Sequence, residues 1–248
     1  MKISIITVSY NSARFIEDAI LSVHSQDHDD IEYIVVDGNS SDGTVDLIKK
    51  HADKISHWIS EPDKGMYDAM NKGIKHATGD IVGILNSDDL YNSRDVISKV
   101  AATFTDTVDA VFGDVFFVSP KNMDQPVRHF SAESWSPKKF VWGFMPPHPS
   151  FFVRRQHYHT YGFYKIDYQI ASDYELLIRF LAVHKLKYKY LPFKMVKMRT
   201  GGASTKNLKS NYILNKEIIR GCRENGLKTN TTMVYSKYFK KIFELINI

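Results

Sequence analysis

The chain has 248 residues, of which 43% are hydrophobic and 25% are charged, so it can bury a hydrophobic core as one globular domain. Its single cysteine, Cys222, excludes an intrachain disulfide. The first residues become polar at Ser9, before any apolar run reaches the length of a signal peptide or a membrane span. We therefore expect a cytoplasmic protein that is stabilised by packing.

Charge is distributed unevenly along the chain. The net charge is +5, but residues 1–183 hold 18 Lys and Arg against 25 Asp and Glu, a charge of −7. Residues 184–248 hold 15 against 3, a charge of +12. Such a basic C-terminal part either attracts anionic lipid, pyrophosphate or nucleic acid through its long-range field, or forms a solvated surface.

Residues 1–90 alternate short apolar runs with helical patterns, which is typical of strands joined by crossover helices. The predicted strands cover residues 3–9, 31–36, 55–60 and 80–85, and the predicted helices lie near residues 15–23, 45–51 and 66–77. Because such sheets are buried on both sides, the pattern predicts an α/β fold with a largely parallel central sheet and helices on both faces.

The second half of the chain is less regular. The pattern predicts a strand at 109–118, irregular structure over 120–149 at the far edge of the sheet, a helix at 172–183, strands at 188–191 and 194–198, and two terminal helices. We expect one domain over residues 1–205, with parts 1–118 and 119–205, and a small, basic, helical C-terminal extension at 206–248.

Three polar clusters follow the ends of predicted strands, at residues 10–12, 37–43 and 86–89. In an open parallel sheet, ligands bind at the carboxyl ends of the strands. The three clusters are therefore expected to line one crevice.

Asp88 and Asp89 follow a strand that reads as buried, and two adjacent carboxylates repel each other unless a cation or hydrogen-bond donors compensate them. Such hard oxygen ligands suit Mg²⁺ or Mn²⁺. Pairs of Asp are also common in helix-capping turns, so the residues alone leave a metal site and a structural turn open.

Asp37 ends the second predicted strand, where its carboxylate either accepts hydrogen bonds from a base or ribose or closes an Asx turn. Asp68, Asn71 and Lys72 share one face of the following helix. The N-terminus of that helix favours anionic groups nearby, although a solvated surface explains these residues almost as well.

Asp173 begins a predicted helix, where it either caps the helix or accepts the proton of an incoming hydroxyl. His148 lies between Pro147 and Pro149 and has no histidine partner in the sequence. It is therefore interpreted either as structural or as part of a second pocket.

Taken in order, these motifs resemble those of the large family 2 glycosyltransferases, which have the nucleotide-binding GT-A fold, and especially the bacterial members that build polysaccharides. The matching segments are residues 7–11 for the first strand, 35–38 and 41–44 for the second, 63–73 for the third motif, 86–89 for the Asp-x-Asp-type metal motif and 171–175 for the region of the catalytic base.

The resemblance implies a role for each matching residue. The donor nucleotide would be bound by Thr7, Tyr10, Asn11, Asp37, Asp63 and Lys72. Asp88 would lie at the ribose and the metal, Asp89 would bind Mn²⁺ or Mg²⁺ directly, and Asp173 would be the general base. Ser172 stands where members often carry an acid, and it would contact the acceptor together with His148.

The resemblance also implies a reaction and its partners. Asp173 would take a proton from an acceptor hydroxyl on a glycan or lipid-linked glycan, and the sugar of a nucleotide diphosphate donor, first a UDP-sugar, would be transferred with inversion. The product would belong to a bacterial surface polysaccharide or glycan. The last helix carries an apolar stripe of Tyr235, Tyr238, Phe239, Ile242 and Ile246 beside lysines. This stripe suits peripheral contact with an anionic membrane, at the inner face of the cytoplasmic membrane, or packing on its own domain.

The sequence lacks the motifs that are typical of other nucleotide-binding proteins. A nucleotidyltransferase would carry a loop rich in Gly and Arg after the first strand, and a dehydrogenase would carry Gly-x-Gly-x-x-Gly there. No motif supports nucleic-acid binding, and the acidic first part opposes it. A catalytically silent sugar-nucleotide binder or a membrane-associated scaffold remains as the alternative, and the sequence indicates no oligomeric state.

Overall fold

A computed structural model describes residues 1–119, 122–201 and 208–246 of the chain. The strands are β1 (Ile3–Ser9), β2 (Ile31–Asp37), β3 (His57–Ser60), β4 (Ile81–Ile84), β5 (Asp89–Tyr91), β6 (Ala110–Ser119), β7 (Asn122–Phe130), β8 (Phe152–Arg154) and β9 (Tyr188–Arg199). The α-helices are α1 (Ile16–His24), α2 (Thr44–Lys50), α3 (Met66–His76), α4 (Val96–Thr103), α5 (Gln156–Tyr161), α6 (Ser172–Leu177), α7 (Leu208–Glu224) and α8 (Thr231–Ile246).

The side chains of β1 alternate between two hydrophobic clusters, as period-2 strand geometry requires. Ile6 and Val8 pack with apolar residues of α3 on one face of the sheet, whereas Ile3 and Ile5 pack with residues of α1 and α4 on the opposite face. Every residue of β1 is buried, which explains its nearly continuous apolar sequence. The α/β fold with helices on both faces is confirmed.

In the described residues, one sheet has the strand order β3-β2-β1-β4-β8-β6-β9-β5, and β7 pairs with β6. The strands β3, β2, β1 and β4 are parallel, and antiparallel pairings join β4 to β8 and β8 to β6. In the parallel half, Ser9 is paired with Asp37, and Asp37 with Ser60. This register brings three polar residues side by side at the carboxyl ends of β1, β2 and β3.

The structure corrects the prediction for residues 120–149, because part of that segment is the strand β7. It forms an antiparallel pair with β6, and its register shifts near Val118. Most of β7 is exposed and it contains Pro126, so it lacks the apolar alternation that reveals a half-buried strand. The strands β5 and β8 and the helices α4 and α5 were also not predicted from the sequence.

The two strands predicted at 188–191 and 194–198 form a single strand, β9. Its pairing with β6 shifts between Gly113 and Asp114, which are paired with Leu191 and Lys194. Pro192 and Phe193 are thus left out of the register. This is expected because the backbone nitrogen of Pro192 has no hydrogen to donate to the neighbouring strand. The helix predicted at 172–183 is confirmed as α6 followed by a π-helical segment, Ile178–Val183.

The C-terminal helices α7 and α8 pack against the domain that precedes them. Ile218 and Cys222 of α7 and Val234 of α8 belong to the same hydrophobic cluster as α3 and α6. The predicted boundary between residues 205 and 206, and the side chains of Phe239, Ile242 and Ile246 in the predicted stripe, lie outside the described residues. In the part of the chain that the structure describes, no helix is both long and apolar enough to cross a bilayer.

Candidate active site

The paired ends of β1, β2 and β3 form a hydrogen-bonded row around Asp37. Its carboxylate accepts hydrogen bonds from the hydroxyls of Ser9 at 3.1 Å, Ser60 at 2.7 Å and Ser40 at 2.5 Å. The backbone N–H of Ser40 adds a fourth bond at 2.9 Å, which closes a turn after β2. Asp37 is fully buried and its carboxylate accepts four hydrogen bonds, so it fixes the geometry of the row. Contact between Asp37 and the donor nucleotide stays a prediction.

The loops after β1 and β2 are tied to each other by hydrogen bonds between side chains and backbone. Asn11 has a left-handed φ of 49°; its N–H donates to the Ser40 hydroxyl at 2.8 Å, and its side-chain oxygen accepts from the Ser41 N–H at 3.0 Å. The Ser12 N–H donates to the Thr44 hydroxyl at 2.8 Å. The predicted donor residue Asn11 therefore holds the two loops together.

Tyr10, Gly38 and Asp63 lie close together beside this row. A Cβ atom at Gly38 would lie 2.5 Å from a carboxylate oxygen of Asp63 and 3.3 Å from the ring of Tyr10. Glycine is thus required for the close approach of these groups. The ring of Tyr10 is 67% exposed, and the other oxygen of Asp63 accepts from the Gly65 N–H at 2.7 Å. An exposed ring opposite a carboxylate can stack on a base and accept hydrogen bonds from it.

Two predicted donor residues have other partners in the structure. Thr7 is fully buried, and its hydroxyl accepts a hydrogen bond from Tyr33 at 3.1 Å. Its side chain supports β1 from within the core, and contact between Thr7 and the donor stays a prediction. The ammonium of Lys72 lies 2.8 Å from Glu61 and 2.9 Å from the carbonyl oxygen of Pro62. Lys72 thus braces the loop that carries Asp63.

Asp88 and Asp89 lie at the end of the turn that joins β4 to β5, and Asp89 is the first residue of β5. Burial raises the pKa of Asp88 above its usual range. Burial, followed by the charge of Asp88, raises the pKa of Asp89 well above its usual range. Asp89 is 2% exposed and accepts a hydrogen bond from the side-chain amide of Asn86 at 3.1 Å. The hydrogen-bond donors around the two carboxylates thus do not offset their negative charges. A divalent cation bound between them would do so.

Arg199, at the end of β9, fixes the backbone of this acidic pair. It donates to the carbonyl oxygen of Asp88 at 2.8 Å and pairs with Asp18 on α1 at 2.5 Å. Its guanidinium also lies 4.7 Å from the centre of the Phe15 ring. In the described residues there is no group of three or more His, Cys, Asp or Glu side chains arranged to hold a metal. A cation at Asp88 and Asp89 would therefore need further ligands from water or from substrate phosphates.

Asp173 lies at the start of α6, where two elements contact its carboxylate. One oxygen accepts from the Tyr174 N–H at 2.8 Å and lies 3.3 Å from the Tyr67 hydroxyl. The single proton of that hydroxyl is directed to the Ile170 carbonyl oxygen, 2.5 Å away. Burial raises the pKa of Asp173 to about 6. Its second oxygen accepts no hydrogen bond from the residues that the structure describes, so it is available to a substrate hydroxyl.

A cavity of about 440 Å³ is lined by residues 64–67 at the start of α3 and residues 166–169 before α6. Tyr67 belongs to its wall and also contacts Asp173. The start of α3 follows the loop of Asp63, so this wall of the cavity is continuous in the chain with the segment that carries Asp63.

The two predicted acceptor residues are buried. Ser172 is fully buried and donates to the carbonyl oxygen of Lys165 at 2.7 Å. His148 is 6% exposed, its Nε2 lies 2.7 Å from the Tyr164 hydroxyl, and burial lowers its pKa to about 4. Both side chains are thus bonded to other groups of the protein, and contact of either residue with the acceptor stays a prediction.

Several residues that shape the site make contacts that were not predicted from the sequence. Gly38, Ser9 and Ser60 frame Asp37, and the register of three predicted parallel strands could have identified the two serines. Asn71 exchanges two hydrogen bonds with the backbone of Tyr164, at 2.8 and 3.0 Å, and so joins α3 to the segment before α6. That contact spans 93 residues, and no local pattern predicts it.

The fold is that of a GT-A glycosyltransferase. Residues 4–174 match the family model described as glycosyl transferase family 2, so the chain belongs to that family. The chain is 33% identical over 182 residues to an uncharacterized glycosyltransferase of Mycobacterium tuberculosis, a match that covers 71% of this chain and 68% of the relative. It is 28% identical over 222 residues to a "PGL/p-HBAD biosynthesis glycosyltransferase" of Mycobacterium bovis, covering 88% of this chain and 82% of the relative.

Solved structures share the fold. Residues 1–349 of Staphylococcus aureus TarS, in complex with UDP-GlcNAc, match with a TM-score of 0.69 and 18% identity over 92% of this chain and 68% of that chain. The mannosyltransferase PcManGT of Pyrobaculum calidifontis, in complex with GDP-Man and Mn²⁺, matches with a TM-score of 0.67 and 24% identity, covering 88% of this chain and 64% of that chain. Against the longer S. aureus TarS chain, the match covers 41% of that chain.

Proposed function

We propose that the protein transfers a sugar with inversion from a nucleotide diphosphate donor, first a UDP-sugar, to a hydroxyl of a glycan or lipid-linked glycan acceptor. One observation carries the proposal. The carboxyl ends of the parallel strands lead to a carboxylate pair, Asp88 and Asp89, whose pKa values are raised by burial, and a separate carboxylate, Asp173, has one oxygen that accepts no hydrogen bond from the described residues. The pair suits the diphosphate end of a donor, and the single carboxylate suits an acceptor hydroxyl.

In this reaction the free oxygen of Asp173 accepts the proton of the acceptor hydroxyl. The hydroxyl oxygen forms a bond to the anomeric carbon while the opposite bond, to the nucleotide diphosphate, breaks and leaves its electron pair on the phosphate. The configuration at the anomeric carbon is thereby inverted. A pKa of about 6 keeps most of Asp173 ionised at neutral pH and makes it a stronger base than an ordinary Asp.

Asp88 and Asp89 would hold Mn²⁺ or Mg²⁺ at the diphosphate, where the cation supplies charge stabilisation to the leaving group. The chemistry of the pair fits, because two hard, buried oxygen ligands with raised pKa values are stabilised by a divalent charge. The structural neighbour that binds GDP-Man together with Mn²⁺ supports this proposal. The neighbour that binds UDP-GlcNAc supports a nucleotide sugar as the donor.

The test is a calorimetric titration of the protein with UDP, GDP and dTDP, with and without Mn²⁺, on the wild type and on Asp89→Ala. We expect one nucleotide to bind in a metal-dependent manner, and the substitution to abolish that dependence. Binding without any donor turnover would favour the silent sugar-nucleotide binder. No binding of any of the three nucleotides would overturn the proposed donor site.

We also propose a biosynthetic role at a membrane surface. A relative named for PGL/p-HBAD biosynthesis and the charge of +12 over residues 184–248 support it. The measurement is sedimentation with anionic and with neutral liposomes at low salt. Binding to anionic liposomes alone is expected, and failure to sediment with either would remove the membrane from the account.

A further inference from the structure

Glu217, on α7, binds the backbone of the segment that leads to Asp173. One oxygen of its carboxylate accepts from the Gln169 N–H at 2.7 Å. The other accepts from the N–H groups of Ile170 and Ala171, both at 2.9 Å. Glu217 is only 8% exposed, so a single buried side chain satisfies three consecutive backbone donors.

The same segment is held from its other side by α3. The Tyr67 hydroxyl donates to the carbonyl oxygen of Ile170, so the peptide groups around Ile170 are bound on both sides. Ala171 lies two residues before Asp173, and its carbonyl oxygen accepts the Glu175 N–H at 3.1 Å as α6 begins. The direction of the first turn of α6, and hence of the Asp173 carboxylate, follows from this double contact.

Glu217 differs from the other acidic residues that join this region to α7. Glu224, two helical turns further on, pairs with Lys165 at 2.8 Å and with Arg220 at 2.6 Å. In the described part of the chain, Glu217 has no Lys, Arg or His partner, and its charge is met by backbone dipoles. An ion pair between surface helices would not require a carboxylate that accepts three backbone N–H groups. Fixing the position of a backbone segment does require such contacts.

We propose that Glu217 is a positioning residue for Asp173: by binding the amides of residues 169–171, it sets the orientation in which Asp173 meets the acceptor hydroxyl. This inference rests on the proposed function of Asp173 as the general base. Glu217 lies outside the segment that matches the family model, which ends at residue 174. The C-terminal helical segment thereby becomes part of the catalytic apparatus.

The test compares Glu217→Gln with Glu224→Gln as a matched control on the same helix. Glutamine keeps the shape of the Glu217 side chain, but its NH₂ group cannot accept a hydrogen bond. That group would face backbone N–H groups, which are also donors. We expect kcat for donor turnover, measured as release of nucleotide diphosphate, to fall about 10- to 100-fold in Glu217→Gln, because small displacements of a reacting group have effects of this size. The affinity for the nucleotide should be unchanged in both variants, and kcat in Glu224→Gln should stay near the wild-type value.

A pH profile separates positioning from general damage to the fold. The titratable groups that act on Asp173 are Tyr67 from α3, Tyr164 from the segment before α6 and Glu217 from α7. The negative charge of Glu217 helps to raise the pKa of Asp173, so its removal should shift the acid limb of the kcat profile to lower pH. Loss of folded protein alone would lower the rate without moving that limb.

Glu217→Asp provides a second variant if Glu217→Gln does not fold. It keeps the charge on a shorter side chain, and we expect intermediate kcat with an acid limb near that of the wild type. The inference is overturned if the substituted Glu217 protein behaves like Glu224→Gln in both kcat and acid limb. A wild-type protein that releases no nucleotide diphosphate from any donor would instead overturn the proposed function, and this inference with it.

Discussion

The two sides of the crevice are built in different ways. On the donor side, residues 9–13, 37–44, 60–65 and 86–89 come from successive loops within residues 1–90, and hydrogen bonds such as those of Asn11 and Asp37 tie adjacent loops together. On the base side, Asp173 depends on Tyr67, 106 residues away, and its segment depends on Glu217, 46 residues beyond Ala171. The donor side is therefore a product of parallel sheet topology, whereas the base side requires distant elements to pack correctly.

Apart from removal of the general base itself, the largest effect is expected on the donor side, from Asp89→Asn. Loss of one carboxylate removes the charge that would hold a divalent cation at the diphosphate, and donor turnover should fall about 10³-fold. The measurement is nucleotide release as a function of Mn²⁺ concentration. Asp95→Asn is the matched control, since that carboxylate is half exposed and pairs with Lys99 on α4. Equal turnover of Asp89→Asn and wild type at all Mn²⁺ concentrations would contradict the metal role.

On the base side, pH should control the rate. Asp173 must be ionised to accept a proton, and its pKa is about 6, so activity should be at its plateau above that pH and be lost as pH falls through it. Below this value the rate should drop about tenfold per pH unit. Donor affinity measured over the same range separates this effect from titration of Asp88 and Asp89. A rate that stays constant down to pH 4.5 would exclude Asp173 as the titrating base.

Gly38→Ala tests the donor pocket without changing any charge. Its Cβ would lie 2.5 Å from Asp63 and 3.3 Å from the Tyr10 ring, so one of these groups must move. We expect the Kd for the nucleotide to rise about tenfold, which corresponds to about 1.4 kcal/mol. Gly221→Ala on α7 is the control, because its Cβ would make only ordinary contacts, at 3.5 Å or more. Unchanged affinity in Gly38→Ala would remove Tyr10 and Asp63 from the donor site.

The smallest effect is expected from Thr44→Val, which loosens the contact between the first two loops. Thr44 is fully buried; its hydroxyl accepts from the Ser12 N–H at 2.8 Å and donates to Asp42 at 2.5 Å. Valine leaves that N–H without its partner, and the free energy of unfolding should fall by about 1–2 kcal/mol. Denaturant unfolding measures this loss, and an unchanged midpoint would mean that the loops are held by other contacts.

The donor side could be largely predicted from the sequence because its information is local. The apolar runs of β1, β2 and β4 and the polar clusters after them identify the strands and the edge at which ligands meet. The motif match that assigns Thr7 to the donor does not specify which way its side chain points. The alternation of β1 places Thr7 with Ile3 and Ile5 in the core, and Ser9, at the strand end, contacts Asp37 instead.

The base side could be predicted only at Asp173. Ser172 and His148 lie near it in the sequence motifs, but their partners, the Lys165 carbonyl oxygen and the Tyr164 hydroxyl, become apparent only in the folded chain. Glu217 lies in a basic helix whose pattern indicates only an amphipathic surface. Contacts that span so many residues depend on packing, which hydrophobic periodicity does not encode.

The most direct test of the account is the substitution Asp173→Asn, with nucleotide affinity and donor turnover measured on the same preparation. Asparagine keeps the shape of the side chain and removes its basicity, while the donor loops are built from other residues. The account predicts an unchanged Kd for the nucleotide and a turnover lower by about 10²- to 10⁴-fold. Turnover at the wild-type rate would contradict it, because no general base would then reside at Asp173.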